Sequence, residues 1–299
     1  MVAEVYVPPI NYDEERLRSA NIFRDTFGHM TDGQWLATLR ASVTDQTIEG
    51  VVFPGFPDPD LQSRVHGSSG VDAIHEAFMF YLFVKGNLQG SLRLDPDARL
   101  LDFGCGWGRM MRPYMRHYDL ANIYGFEPSA LFSKIARGLN PYACILTGEF
   151  LPNRRIPRDS FDLVIGYSVF SHLSPHSAAL WLRETAEVLR PGGFAAFTTW
   201  GGRFLAELAN QKARSEAGQE VHWFYTFVLS KIGDTADALR RYEAGEFIWH
   251  DTGLGPLYGE AYFGPDPLRK IIEDNLLPLE LVLFDTNSLP QDTFILRRI

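Results

Sequence analysis

The chain has 299 residues, 45% of them hydrophobic, enough to bury a substantial core in one large domain or in a domain carrying an inserted cap. A net charge of −9 argues against broad binding along a nucleic-acid backbone, which needs clustered Lys and Arg, and excludes no small ligand. The two cysteines, Cys105 in a glycine-rich loop and Cys144 in a segment read as a buried strand, suggest no disulfide framework, and no Cys/His spacing suggests a metal site.

The N-terminal stretch Met1–Pro9 lacks the basic, apolar and small-residue order of a signal peptide, and the most apolar run, Phe78–Val84, is too short to span a bilayer. The expectation is a cytoplasmic protein with no membrane partner. Residues 1–97 read as an N-terminal helical lid region, with helices over 13–25, 32–43 and 71–86 and a Pro/Gly-rich join at 54–59. An exposed apolar patch on these helices would support a homodimer.

Residues 98–200 alternate strand and helix signals. Arg99–Phe103 reads as a first strand, followed by a helical stretch over 108–118 that Pro113 should bend or end. A second strand covers 122–126, a helix 130–139, a third strand 143–147 and a near-continuously apolar fourth strand 161–166. Ser174-Pro175 is an N-cap with proline at the first helical position. The helix it opens should stop at Arg190-Pro191-Gly192-Gly193, ahead of a fifth strand over 194–200. Residues 201–277 form a substrate-cap insert with helix-like runs at 204–213, 221–232 and 236–244 and an aromatic, Gly-rich loop. Within 278–299, the segments 279–285 and 292–297 are joined too closely for a parallel crossover and should pair antiparallel.

The most informative run is Leu100-Leu101-Asp102-Phe103-Gly104-Cys105-Gly106-Trp107-Gly108-Arg109. A buried strand ends near an acid, and three glycines at alternate positions then turn the chain with almost no side-chain bulk, as a backbone approaching a ligand requires. A dinucleotide loop would want a third glycine where Arg109 stands, and Gly108 falls one residue early. A phosphate loop ending in Gly-Lys-Ser/Thr is absent. The loop favours a nucleoside with an amino-acid tail over a pyrophosphate.

Further motifs agree: Ser160-Phe161-Asp162-Leu163-Val164-Ile165, Ser168-Val169-Phe170-Ser171-His172-Leu173, Val188-Leu189-Arg190-Pro191-Gly192-Gly193 and the closing Gln291-Asp292-Thr293-Phe294-Ile295-Leu296. Together with the loop they resemble class I S-adenosylmethionine-dependent methyltransferases, and are similar to bacterial members that modify glycans or secondary metabolites. The resemblance covers about 98–200 and 278–299. It implies an α/β, Rossmann-like seven-stranded sheet, mostly parallel with a terminal antiparallel hairpin, the seventh strand lying between the fifth and sixth. The N-terminal helical region and the inserted cap stand outside that sheet.

The resemblance also implies S-adenosyl-L-methionine as cofactor. Gly104, Cys105, Gly106 and Gly108 would approach its methionine part, with Asp102 ordering the loop or reaching the ammonium. Glu127, followed by Pro128, would accept both ribose hydroxyl protons. Glu149 and Phe150 would lie beside adenine, and Tyr167 and Ser168 under the sulfonium, where an aromatic face favours positive charge. No metal is implied.

Methyl transfer to a hydroxyl requires alignment, exclusion of water and removal of a proton. His172 is the first candidate base, although a histidine there also suits hydrogen bonding to the loop backbone. His250 in the insert and Asp292 in the terminal hairpin are further candidates. The Asp/Asn-Pro-Pro-Tyr/Phe motif that holds a base or amide nitrogen is missing at Gly166-Tyr167-Ser168-Val169. The expected acceptor is therefore a small molecule or glycan rather than nucleic acid, methylated on oxygen. N-methylation of a small amine and non-catalytic cofactor binding are the alternatives.

Overall fold

The computed structural model describes residues 21–253 and 255–299; the part of the expected first helix over 13–20 lies outside them. The chain divides into two compact units, one built of residues up to 149 with 153–165, the other of residues 150–152 with 166–299.

In the first unit, α1 (Ile22–Phe27) starts at Asn21, whose side chain accepts from the Arg24 amide. A Thr31/Gln34 capping box opens α2 (Asp32–Ala41), meeting backbone donors that a helix start leaves unpaired. A two-residue ladder, β1 (Thr47–Ile48) with β2 (Val51–Val52), follows. The Pro/Gly-rich join then becomes a helix, α3 (Pro59–His66), because Asp58 caps it and Pro59 occupies its first position. Next comes α4 (Gly70–Asn87). The alternating segment supplies β3 (Leu100–Phe103), β4 (Ile123–Glu127), α5 (Ala130–Leu139), β5 (Cys144–Thr147) and β6 (Phe161–Gly166). β3 pairs in parallel with both β4 and β6, and β5 pairs in parallel with β4. Every residue of β3 and β6 is buried, which explains their unbroken apolar character. Cys144 lies in its expected strand but is exposed, because it begins β5 at the sheet's edge.

The expected helix over 108–118 is replaced by turns and one 3-10 turn, Arg112–Tyr114. Gly104, Gly106 and Gly108 all have positive φ, and Pro113 has no amide to continue a helix. The segment's periodic residues Met110, Met111, Tyr114, Met115 and Tyr118 are nonetheless buried. Its arginines are buried too. Arg112 stacks on Phe56 (4.2 Å) and Trp107 (4.6 Å) and donates to the carbonyls of Pro54 (3.2 Å) and Gly55. Arg116 donates to Met30 O (2.7 Å) and to Asp32, and Arg109 pairs with Glu76. These contacts dock residues 30–76 onto the loop that carries the glycines. Arg112→Ala is expected to cost about 3 kcal/mol, since it empties a stacked site and leaves two buried carbonyls without their donor. In urea unfolding the midpoint should fall at unchanged slope.

The second unit opens with α6 (Pro175–Val188), capped by Ser174 with proline first. It passes without a loop into β7 (Leu189–Thr199), so Pro191-Gly192-Gly193 lies inside the strand's first half rather than before it, with Gly192 at φ +81°. Three helices follow at the expected places: α7 (Gly202–Glu216), α8 (Trp223–Ile232) and α9 (Thr235–Glu243). Leu205, Leu208, Val228, Ile232 and Tyr262 form their core, with Phe204, Phe224 and Tyr225 packed against it. Most of the insert's aromatic residues thus serve packing. The segment read as a Gly-rich loop contains an antiparallel pair, β8 (Ile248–Asp251) with β9 (Gly259–Tyr262), and then α10 (Pro265–Asp274).

The chain ends in β10 (Leu279–Asp285) and β11 (Asp292–Arg298), antiparallel to each other, with β11 antiparallel to β7 on its other side. The seven main strands follow the order β10-β11-β7-β6-β3-β4-β5, so the last strand lies between the fifth and sixth of the sheet, as expected. No helix among the described residues is long and apolar enough to cross a membrane.

Candidate functional site

In the first unit the glycine loop is tied to the end of β4. The amides of Gly104 and Cys105 both donate to Phe126 O, at 2.8 and 3.0 Å, and Gly108 N donates to Cys105 O at 2.7 Å. The Glu127 carboxylate is almost fully buried, and its two oxygens take different amides: Gly106 N to Oε2 and Ser129 N to Oε1, each at 2.9 Å. Burial pushes the Glu127 pKa up, and these two N–H donors oppose the rise.

The loop's three glycines adopt φ of +70°, +55° and +90°. A Cβ on Gly108 would also lie 2.5 Å from Asn140 Nδ2. Asn140, just past the end of α5, donates to Trp107 O (2.7 Å) and to Ala136 O (2.9 Å), which pins the loop from behind. Gly108→Ala combines backbone strain with this overlap and is expected to destabilise the fold by about 2 kcal/mol or more. Thermal unfolding of the variant checks this.

Asp102 ends β3 with 1% of its surface exposed, and neither carboxylate oxygen has a partner among the described residues. Burial pushes its pKa up to about 8; the Arg109 charge opposes this and the Glu127 charge adds to it. Cys105 is buried, its thiol pushed up by burial and by the two nearby acids. Its Sγ would lie 2.8 Å from a Cβ on Gly125, so a glycine in β4 makes room for it. Pro128 is half-buried between Glu127 and Ser129, and Glu149 is exposed after β5.

In the second unit, residues 171–174 pair with residues 257–261. Gly259 N donates to His172 O (2.7 Å), Ala261 N to Ser171 O (2.7 Å) and Ser174 N to Leu257 O (3.3 Å). This pairing sets Glu260 beside His172. The His172 ring is half-buried and stacks on Tyr258 at 5.0 Å. Its Nδ1 lies 2.9 Å from Gly259 O and 3.3 Å from Glu260 Oε1. Both neighbours only accept, so the proton belongs on Nδ1 and Nε2 is the nitrogen with the lone pair. Burial works to lower the His172 pKa, but the Glu260 charge and these contacts outweigh it and the net shift is upward.

His250 stands opposite Glu260 in the β8–β9 register; burial and the Arg241 charge lower its pKa. Asp292, almost fully buried at the start of β11, has Oδ1 3.5 Å from Arg203 Nη2, and burial pushes its pKa up to about 6. Its Oδ2 would lie 1.8 Å from a Cβ on Gly201, so the glycine makes space for the acid. Tyr167 is buried, and Ser168, at φ +59°, belongs to a polar network. Ser168 N donates to Thr198 Oγ1 (2.7 Å), Gln291 Nε2 donates to Ser168 Oγ (2.9 Å), and Thr198 Oγ1 donates to Gln291 Oε1 (2.6 Å). The Phe150 ring is 52% exposed and meets Tyr258 edge-on at 6.1 Å, while its carbonyl accepts from Trp181 Nε1 at 2.9 Å. No group of three His, Cys, Asp or Glu among the described residues could hold a metal ion.

A family model described as a methyltransferase domain matches residues 101–197, the stretch holding the glycine loop, Glu127 and His172. This segment is a class I S-adenosylmethionine-dependent methyltransferase domain. The domain is 33% identical over 109 residues to a probable fatty acid methyltransferase of Pseudomonas putida, an alignment covering 34% of this chain and 27% of that protein. It is 32% identical over 116 residues to a ubiquinone biosynthesis O-methyltransferase of Bradyrhizobium, covering 36% and 42% respectively. The chain thus spans less than half the length of these curated relatives. A crystal structure of an S-adenosylmethionine-dependent methyltransferase from Mesorhizobium loti superposes with a TM-score of 0.50 at 14% identity, over 74% of this chain and 98% of that one, and shares the fold.

S-adenosylmethionine is the cofactor of the methyltransferase domain, and residues of the first unit suit its parts. Asp102 offers a buried carboxylate with two unmet oxygens, the chemistry an ammonium group requires. Each Glu127 oxygen accepts one amide and keeps a lone pair for a ribose hydroxyl. Of the residues singled out from sequence, the domain brings Asp102, Gly104, Cys105, Gly106, Gly108, Glu127 and Pro128 together around one loop. Two contributors had not been singled out for a role. Asn140 carries only the signal of a residue ending a helix, and Glu260 is placed by a pairing 88 residues away from His172.

Proposed function

We propose that the chain is an S-adenosylmethionine-dependent methyltransferase acting on a hydroxyl of a small molecule or glycan in the cytoplasm, with His172 as general base. The observation that carries the base assignment is the fixed His172 ring. Its Nδ1 is committed to Gly259 O and Glu260 Oε1, which leaves Nε2 to take a proton. The Bradyrhizobium relative, by its name, is an O-methyltransferase, which favours oxygen as the accepting atom.

Bound S-adenosylmethionine supplies a methyl group activated by its sulfonium. Gly106, Glu127 and Asp102 orient the ribose and the amino-acid tail, while His172 Nε2 accepts the hydroxyl proton as the new C–O bond forms. The S–C bond breaks with its electron pair staying on sulfur. Glu260 stabilises the imidazolium that results.

The test is incubation of the purified protein with methyl-labelled S-adenosylmethionine and fractionated extract of its source cells. Label in a hydroxyl-bearing small-molecule or glycan fraction supports the reading. Label confined to RNA or protein, or no transfer to any fraction, contradicts it.

A further inference from the structure

Beyond the His172 contact, Glu260 belongs to a second group of polar atoms in the same unit. The β8–β9 register pairs His250 with Glu260 and Ile248 with Tyr262, so His250, Glu260 and Tyr262 share one face of the hairpin. Trp200 forms a bridge with Tyr262 and joins it through a ring stack, Trp200 on Phe204 at 4.0 Å and Phe204 on Tyr262 at 6.1 Å.

Glu260 Oε2, His250 Nε2, the Tyr262 hydroxyl and Trp200 Nε1 are all buried without a hydrogen-bond partner among the described residues. Glu260 is 5% exposed and Tyr262 0%. Native folds rarely leave buried polar atoms unmet, and four within one small hairpin and its bridge partner require something to meet them.

The set also specifies what meets it. A carboxylate oxygen only accepts and an indole N–H only donates, whereas a tyrosine hydroxyl does both. An ammonium group would satisfy Glu260 and leave the indole unmet. A carboxylate or phosphate would satisfy the indole and be repelled by Glu260. A hydroxyl both donates and accepts, and the aromatic stack suits the apolar face of a saturated ring. We infer that this face of the β8–β9 hairpin holds the acceptor by its hydroxyl groups, and that the acceptor carries a neutral polyhydroxylated ring of the sugar or cyclitol class. The inference rests on the methyl-transfer reading in taking this ligand as the acceptor.

Saturation-transfer NMR on the full chain tests it with a panel of neutral methyl glycosides and inositols, set against an amino sugar and a uronic acid of the same ring size. The neutral probes should give the strongest signals. Glu260→Gln and Tyr262→Phe, which keep side-chain size, should each weaken them about tenfold. Absence of binding by every neutral probe, preference for the amine or the acid, or a signal that survives both substitutions would overturn the inference. Should either variant not fold, the ranking of probes on the unaltered chain still decides. S-adenosylmethionine binding is titrated in the same samples by calorimetry. Its absence would count against the methyl-transfer reading, whereas lost polyol binding with the cofactor bound would count against this inference alone.

Discussion

Replacing Glu127 by alanine is expected to weaken S-adenosylmethionine binding by about a hundredfold or more, with the fold retained. A hydrogen bond to a charged group contributes roughly 1.5–3 kcal/mol, and two ribose hydroxyls would be released at once. Part of the loss is indirect. Gly106 N and Ser129 N both donate to this carboxylate, so its removal frees the glycine loop from the end of β4 as well. Glu127→Gln keeps one accepting oxygen and should fall between the two. Calorimetric titration with the cofactor measures all three. An alanine variant that binds as tightly as the unaltered chain would remove Glu127 from the site.

Turnover should fall by about 10²–10⁴-fold in His172→Ala while cofactor affinity stays within a factor of about two, because general-base assistance is lost and no cofactor-holding residue is touched. The pH profile gives the sharper result. The His172 pKa lies above its ordinary 6.5, since the Glu260 charge outweighs the opposing effect of burial. The base form therefore appears only as pH rises through that raised value, and the rate should climb across an acid limb placed above pH 6.5. Glu260→Gln removes the carboxylate charge while Tyr258 still stacks on the ring, so the His172 pKa should drop and the limb should move to lower pH. A limb unmoved by Glu260→Gln would mean that another group takes the proton.

Elements with local signals were legible in the sequence. Ser129 and Ser174 cap helices that run over Ala130–Leu139 and Pro175–Val188, because a hydroxyl at the N-cap acts within three residues of itself. The terminal hairpin followed from the short connection between its strands. What failed has a common cause: the decisive partner was distant or the local signal was mixed. Met110, Met111, Tyr114, Met115 and Tyr118 have a helical spacing, yet they are buried from a chain of turns that three positive-φ glycines and Pro113 impose. The four-residue strands β8 and β9 mix Trp, His, Asp, Gly and Glu, which defeats any alternation pattern. The acids divide in the same way. Glu127 was readable because it closes a strand after a glycine loop, whereas the role of Glu260 depends on residues 257–261 pairing with 171–174.

The most direct test of the cofactor site is a crystal structure of the chain bound to S-adenosylhomocysteine, the product form of the cofactor. The account predicts both ribose hydroxyls on Glu127, the ammonium facing Asp102 and the tail lying along Gly104–Gly108. A product bound elsewhere, or a ribose that does not meet Glu127, would contradict it.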